Sequence, residues 1–162
     1  MTHGWPDPVE RVARFLREAR VEARLEEFKE GTPTAVDAAS ATGAALAQIV
    51  KSLVFTCDGR TVLVMVPGDQ RADGAKVARA AGAAHAKVAH ADEVERATGF
   101  PAGGVAPFPL PHLDAILIER RLLTHELVWV GAGSARHMAA LTPADLVRLT
   151  RARPVDVMAE NP

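Results

Sequence analysis

The 162 residues carry 19 basic and 20 acidic side chains, a formal net charge of −1, which argues against a protein that coats DNA or RNA by neutralising many phosphates but leaves room for one RNA end held by a local basic patch. Two tryptophans, five phenylalanines and no tyrosine argue against an aromatic platform for stacking bases. The single cysteine excludes an intrachain disulfide and a Cys-rich zinc site, and no stretch nears the roughly 20 apolar residues that would span a bilayer.

In chain order, Asp7-Pro8 opens a helix, with aspartate able to cap and proline suited to the first helical position. Val9, Val12, Ala13, Leu16 and Ala19 recur behind it at helical spacing. An extended piece runs from Leu25 to Phe28. Thr34 and Asp37 form a capping pair for a helix that stops near Gly43. Val50 to Cys57 reads as a strand, Asp58-Gly59 as a tight turn and Thr61 to Val66 as the returning strand.

A polar loop, Gly68 to Arg71, leads into a helix from about Ala72 to Ala81. A short strand near Ala86 to Val88 and a helix from Asp92 to Thr98 come next, and Gly99 stops that helix. Phe100 to Pro111 holds four prolines and two adjacent glycines, so it cannot be regular. Strands are predicted at Asp114 to Glu119 and Glu126 to Val130, a helix from Thr142-Pro143 to about Thr150, and a last strand at Val155 to Met158. A hairpin among interspersed helices predicts an α+β (mixed α/β) fold with a mixed or antiparallel sheet, residues 1–162 forming one domain.

Lys51 is the first chemical anomaly. Strand alternation puts it with Leu53, Phe55 and Cys57, opposite Val50, Ser52, Val54 and Thr56, and both faces are apolar enough to be covered. Such a lysine must reach water at an edge, pair with an acid or meet an anion in a pocket. The second feature is Gly103-Gly104-Val105-Ala106-Pro107. It is either an ordinary connection or a stiffened loop whose N–H groups face a developing oxyanion. Gly131-Ala132-Gly133-Ser134-Ala135-Arg136-His137 lacks the Lys-Ser/Thr ending of a phosphate loop; Arg136 and His137 sit either at a site mouth or on a solvated hairpin tip.

The six histidines, His3, His85, His90, His112, His125 and His137, show no metal-ligand spacing, and His85 and His90 fall on opposite faces of a strand. Cys57 beside a histidine could form a nucleophilic pair, although a small cysteine at a strand end more often belongs to the core. No motif calls for a cofactor. With no charged and apolar leader at the N-terminus, a cytoplasmic protein is expected.

Taken together, Thr34 to Ala39, Gln48 to Phe55, Val66-Pro67-Gly68-Asp69, Thr98-Gly99-Phe100, the GxxxP loop Gly103 to Pro107, Gly131-Ala132-Gly133 and Leu141 to Leu146 resemble the YbaK/ProX family, which includes the editing insertion of bacterial prolyl-tRNA synthetases. The order and spacing of these segments carry the resemblance, which covers about Thr34 to Thr150. It implies a barrel-like mixed sheet flanked by helices and hydrolysis of the ester joining an amino acid to the 3′ end of tRNA. It further implies that Lys51 engages the substrate end and that Gly103 and Gly104 position the scissile carbonyl. Val105, Pro107, Thr34, Gly133 and His137 are implied at the substrate. Attack by water, assisted by a ribose hydroxyl, would need no protein nucleophile. Alanyl- and cysteinyl-tRNA(Pro) are the implied substrates, and an aminoacyl-tRNA synthetase is an admissible partner. The alternatives are a non-catalytic tRNA- or synthetase-binding module of the same fold and a hydrolase that uses Cys57.

Overall fold

The computed structural model describes residues 4–111 and 113–160, so His3 and His112 lie outside the described residues. Among the described residues, five helices, α1 (Asp7–Ala19), α2 (Ala35–Thr42), α3 (Gly74–Ala80), α4 (Ala91–Thr98) and α5 (Pro143–Thr150), are interspersed with eight strands. The strands are β1 (Arg24–Glu27), β2 (Val50–Cys57), β3 (Arg60–Pro67), β4 (Lys87–Val88), β5 (Ala115–Glu119), β6 (Val128–Ser134), β7 (His137–Leu141) and β8 (Arg153–Val155).

β4-β2-β3-β5-β8 form a mixed sheet, antiparallel from β4 to β3 and parallel from β3 to β8. β1-β7-β6 form an antiparallel sheet. A parallel bridge between Ile49 and Trp129 brings the two sheets together where β2 begins, and the result is the expected barrel-like arrangement flanked by helices.

Local rules account for most of the elements. The β2–β3 register runs from Val50 opposite Pro67 to Cys57 opposite Arg60, leaving a two-residue turn. Asp58 and Gly59 both take positive φ there, 51° and 81°, as a hairpin turn matched to strand twist requires. Thr34 caps α2 by accepting from the Asp37 N–H at 3.1 Å. Asp73 caps α3 by accepting from the Ala75 and Lys76 N–H groups, which starts that helix two residues later than its composition suggests.

The two faces of β2 enter different cores. Val50 and Val54 pack with Val12, Leu63, Phe100, Val130 and Leu141. Phe55 and Cys57 pack with Val62, Val64, Val77 and Leu117. Burying each such side chain contributes about 1.5–3 kcal/mol, so both faces are held. Glu119 is buried as well, and its carboxylate accepts from the Arg121 and Val157 N–H groups.

The largest departure from expectation is at Gly131 to His137. This stretch is not a loop after a strand ending at Val130. β6 continues through both glycines to Ser134, and β7 returns at once with all five of its residues buried. The last strand also sits earlier than expected, at Arg153–Val155, while Met158 makes only an isolated bridge to Ala72.

Candidate active site

A cleft of about 350 Å³ opens where α2, the start of β2, the Gly103 loop and β6–β7 converge. Lys51, Thr34, Gly103 and Val105 all line it. Its floor is small and apolar, with Ala35, Ala38, Ile49 and Met138 among the lining residues.

Lys51 is half-buried at the first residues of β2 and donates from Nζ to the Gln70 carbonyl. An ammonium has three donors, so two remain for a ligand. Burial pushes its pKa below the ordinary lysine value, the neighbouring Arg71 pushes it further down, and Asp69 works against both. Next to it, the Ser52 Oγ is buried and has no hydrogen-bond partner among the described residues. An unpartnered buried hydroxyl is costly, and this one belongs to a residue that lines the cleft. The sequence held its signal, a polar residue on the otherwise apolar Val50–Val54 face.

The Gly103 loop is a single 3-10 turn over Ala102–Gly104. Gly104 donates its N–H to the Pro101 carbonyl at 2.8 Å. Among the described residues the amides of Gly103 and Val105 have no acceptor. Gly104 does not line the cleft; it is the contact point with β6. A Cβ there would lie 2.5 Å from the Ser134 Cα and carbonyl carbon, and a Cβ on Gly131 would lie 2.3 Å from the Val105 oxygen. Only glycines allow the loop and the strand to approach so closely. Pro107 is buried behind the loop.

Two further residues expected at the substrate lie elsewhere. Gly133 has a φ of +105° and backs onto Pro8 and Val9 of α1. His137 is neither at the cleft mouth nor on a solvated tip. It is 3% exposed, on the face of β7 opposite Met138, which does line the cleft. Its Nδ1 hydrogen-bonds to Ser134 Oγ, Trp5 meets its ring edge-on at 5.2 Å, and Nε2 is 3.5 Å from a Glu27 carboxylate oxygen. Burial lowers its pKa, with Arg136 adding to the effect and Glu27 opposing it. Arg136 is exposed.

Cys57 is fully buried in the β2–β3 core, where burial raises its thiol pKa, and it is not among the cleft residues. A thiol in that setting is a poor nucleophile. Thr32, Ser52 and Met138 join the cleft without having been singled out from sequence, and Gly131, which the sequence suggests is a loop residue, joins it from β6. Met138 could not have been found that way, because its part depends on β7 being a strand.

Comparison with known proteins identifies the family and the fold. The family model described as the aminoacyl-tRNA editing domain matches residues 29–149. A protein of Enterococcus faecalis described as a candidate Cys-tRNA(Pro)/Cys-tRNA(Cys) deacylase, EbsC, is 25% identical over 91% of this chain and 92% of its own length. The proline–tRNA ligase of Geobacillus thermodenitrificans is 37% identical over 60% of this chain, which corresponds to 18% of the ligase. A crystal structure of a candidate trans-editing enzyme for prolyl tRNA synthetase superposes with a TM-score of 0.88 at 32% identity, covering 97% of this chain and all of that one. Among the described residues, no helix is long and apolar enough to cross a membrane. The chain belongs to the aminoacyl-tRNA editing domain family.

Proposed function

We propose that this protein is a trans-acting deacylase that hydrolyses the ester of mischarged tRNA in the cytoplasm, with alanyl- or cysteinyl-tRNA(Pro) as its substrates. The observation that carries the reading is the convergence of Lys51, Gly103 and Val105 on one cleft whose floor is small and apolar. Ala35, Ala38 and Met138 suit a short uncharged side chain.

An aminoacyl ester is already activated, so the site must position it and stabilise the oxyanion. The free amides of Gly103 and Val105 are the donors for that oxyanion. Gly104 supports them from behind, its own N–H being committed to Pro101. Lys51 holds the nucleotide end with its two remaining donors, and Ser52 Oγ offers a hydrogen bond to the substrate's polar atoms. Thr34 shapes the rim; its hydroxyl is occupied by Asp37. Pro107 keeps the loop stiff. Gly133 and His137 act on the hairpin behind the loop. Water attacks the carbonyl, and the neighbouring ribose hydroxyl of the substrate assists in moving the proton.

The test is release of labelled amino acid from a panel of tRNAs mischarged with alanine, cysteine, serine or threonine, comparing wild type with Lys51→Ala. Lysine-dependent hydrolysis of an alanyl or cysteinyl ester supports the assignment. A folded protein that binds tRNA or a synthetase and hydrolyses nothing across the panel overturns it in favour of a binding module.

A further inference from the structure

Lys51 borders two cavities. Beyond the cleft, on the side of the Gly68–Arg71 loop, lies a second groove of about 310 Å³. Leu53, Phe55, Ala72 and Val88 form its apolar wall, and Lys51 and Arg71 supply its cations. Val88 pairs with Phe55 across β4–β2 and is 57% exposed. The groove therefore runs from Lys51 along four residues of β2, about 13 Å at strand rise.

The charges are the unusual part. Arg71 is exposed and has no ion-pair or hydrogen-bond partner for its guanidinium among the described residues. It stands close enough to Lys51 for the two to repel, and among the described residues Asp69 is the acid that acts on the lysine. Two cations and one acid leave a net positive charge at the junction of the two cavities. A forked guanidinium beside an ammonium with free donors matches phosphate oxygens. An apolar wall beside that pair suits the flat face of a base.

We infer that this second groove is a nucleotide subsite, in which Arg71 and Lys51 hold a backbone phosphate of an RNA strand and Leu53 and Val88 take the attached base. The inference rests on the proposed deacylase reading, in which the ester-bearing end lies on the other side of Lys51. A strand crossing at Lys51 would put its terminal residue in the first cleft and a preceding nucleotide in the second groove.

The experiment is a fluorescence titration of a short single-stranded RNA bearing the common 3′ sequence of tRNA, at several salt concentrations. Wild type is compared with Arg71→Gln and Arg71→Lys, with inorganic phosphate as competitor, and thermal melts confirm that both variants fold. Arg71→Gln is expected to weaken binding about ten-fold and to reduce the log–log salt slope by about 0.7, the share of one single-strand phosphate. Arg71→Lys is expected to restore the slope and part of the affinity. In deacylation, Arg71→Gln is expected to raise KM more than it lowers kcat. Unchanged affinity and slope overturn the inference, as does phosphate binding as tightly as the RNA, which would mark a plain anion site. Hydrolysis that ignores Arg71 removes the subsite and leaves the deacylase reading standing; Arg71-dependent RNA binding without any hydrolysis does the reverse.

Discussion

Replacing Gly131 by alanine tests whether the Gly103 loop is held in place by β6. The new Cβ would lie 2.3 Å from the Val105 oxygen and 3.2 Å from its carbonyl carbon. Reaching even a tight van der Waals separation requires a shift of about 1 Å. The strand is paired to β7 at this point, so the loop is the part that yields. Overpacking of this kind costs about 1–3 kcal/mol, which for a chain of this size lowers Tm by about 2–12 °C. The same displacement moves the free Val105 amide, and a misplacement of about 1 Å in a positioned site can cost about 100-fold in rate.

The control is Gly59→Ala in the β2–β3 turn, where φ is +81° and nothing lies within 4 Å of the added atom. It should cost about 1–2 kcal/mol of backbone strain without touching the cleft. Thermal melts and kcat/KM on a hydrolysed mischarged tRNA, taken well below both melting temperatures, separate the two effects. Gly131→Ala should lose activity far beyond its loss of stability. If its rate per folded molecule matches that of Gly59→Ala, β6 does not position the loop and the argument from close approach fails.

Three further outcomes are expected. Lys51→Met should abolish deacylation while leaving Tm unchanged or higher, because burial makes the Lys51 ammonium less favourable in the fold than in the unfolded chain; a marked fall in Tm would show that the lysine is structural. Ser52→Ala removes a buried hydroxyl without a partner among the described residues, so Tm should hold or rise and KM should increase if that hydroxyl meets the substrate; an unchanged KM removes its role. His137 also has a depressed folded pKa, so below about 6.5 the unfolded chain takes up its proton first and stability falls with falling pH until the folded value is passed. Denaturant melts from pH 7 to pH 5 should show that slope in wild type and a smaller one in His137→Gln.

Where the folding rule is local, the sequence is readable. The Asp58-Gly59 turn, the Thr34 and Thr142 caps and the Gly43 and Gly99 stops all stand as their residue types suggest. Lys51 stood out because alternation made it a misfit on an apolar face, and Lys51, Gly103, Val105 and Thr34 do share a cleft. What could not be read depends on distant partners. Gly131 and Gly133 looked like loop residues because glycine weakens a strand, yet each lies in β6 where another segment comes too close for a side chain. Once β6 was cut short there, β7 was lost with it, and His137 was placed outside rather than inside. Arg71 looked like one polar loop residue among several; only the fold brings it beside Lys51.

The pairing of β1 with β7 joins residues 24–27 to residues 137–140. A ribosome making this chain releases β1 more than a hundred residues before its partner exists. The β2–β3 hairpin can close early, since only two residues separate its strands. The cleft cannot, because Gly131 and Met138 belong to its lining. No nascent fragment ending before β7 can carry an assembled cleft, so the site is completed late in synthesis. While it waits, β1 is an unpaired edge, and three of its four residues, Arg24, Glu26 and Glu27, are charged. Charge along a bare edge discourages pairing with a neighbouring chain, so the composition of β1 protects the polypeptide during the interval that its own topology imposes.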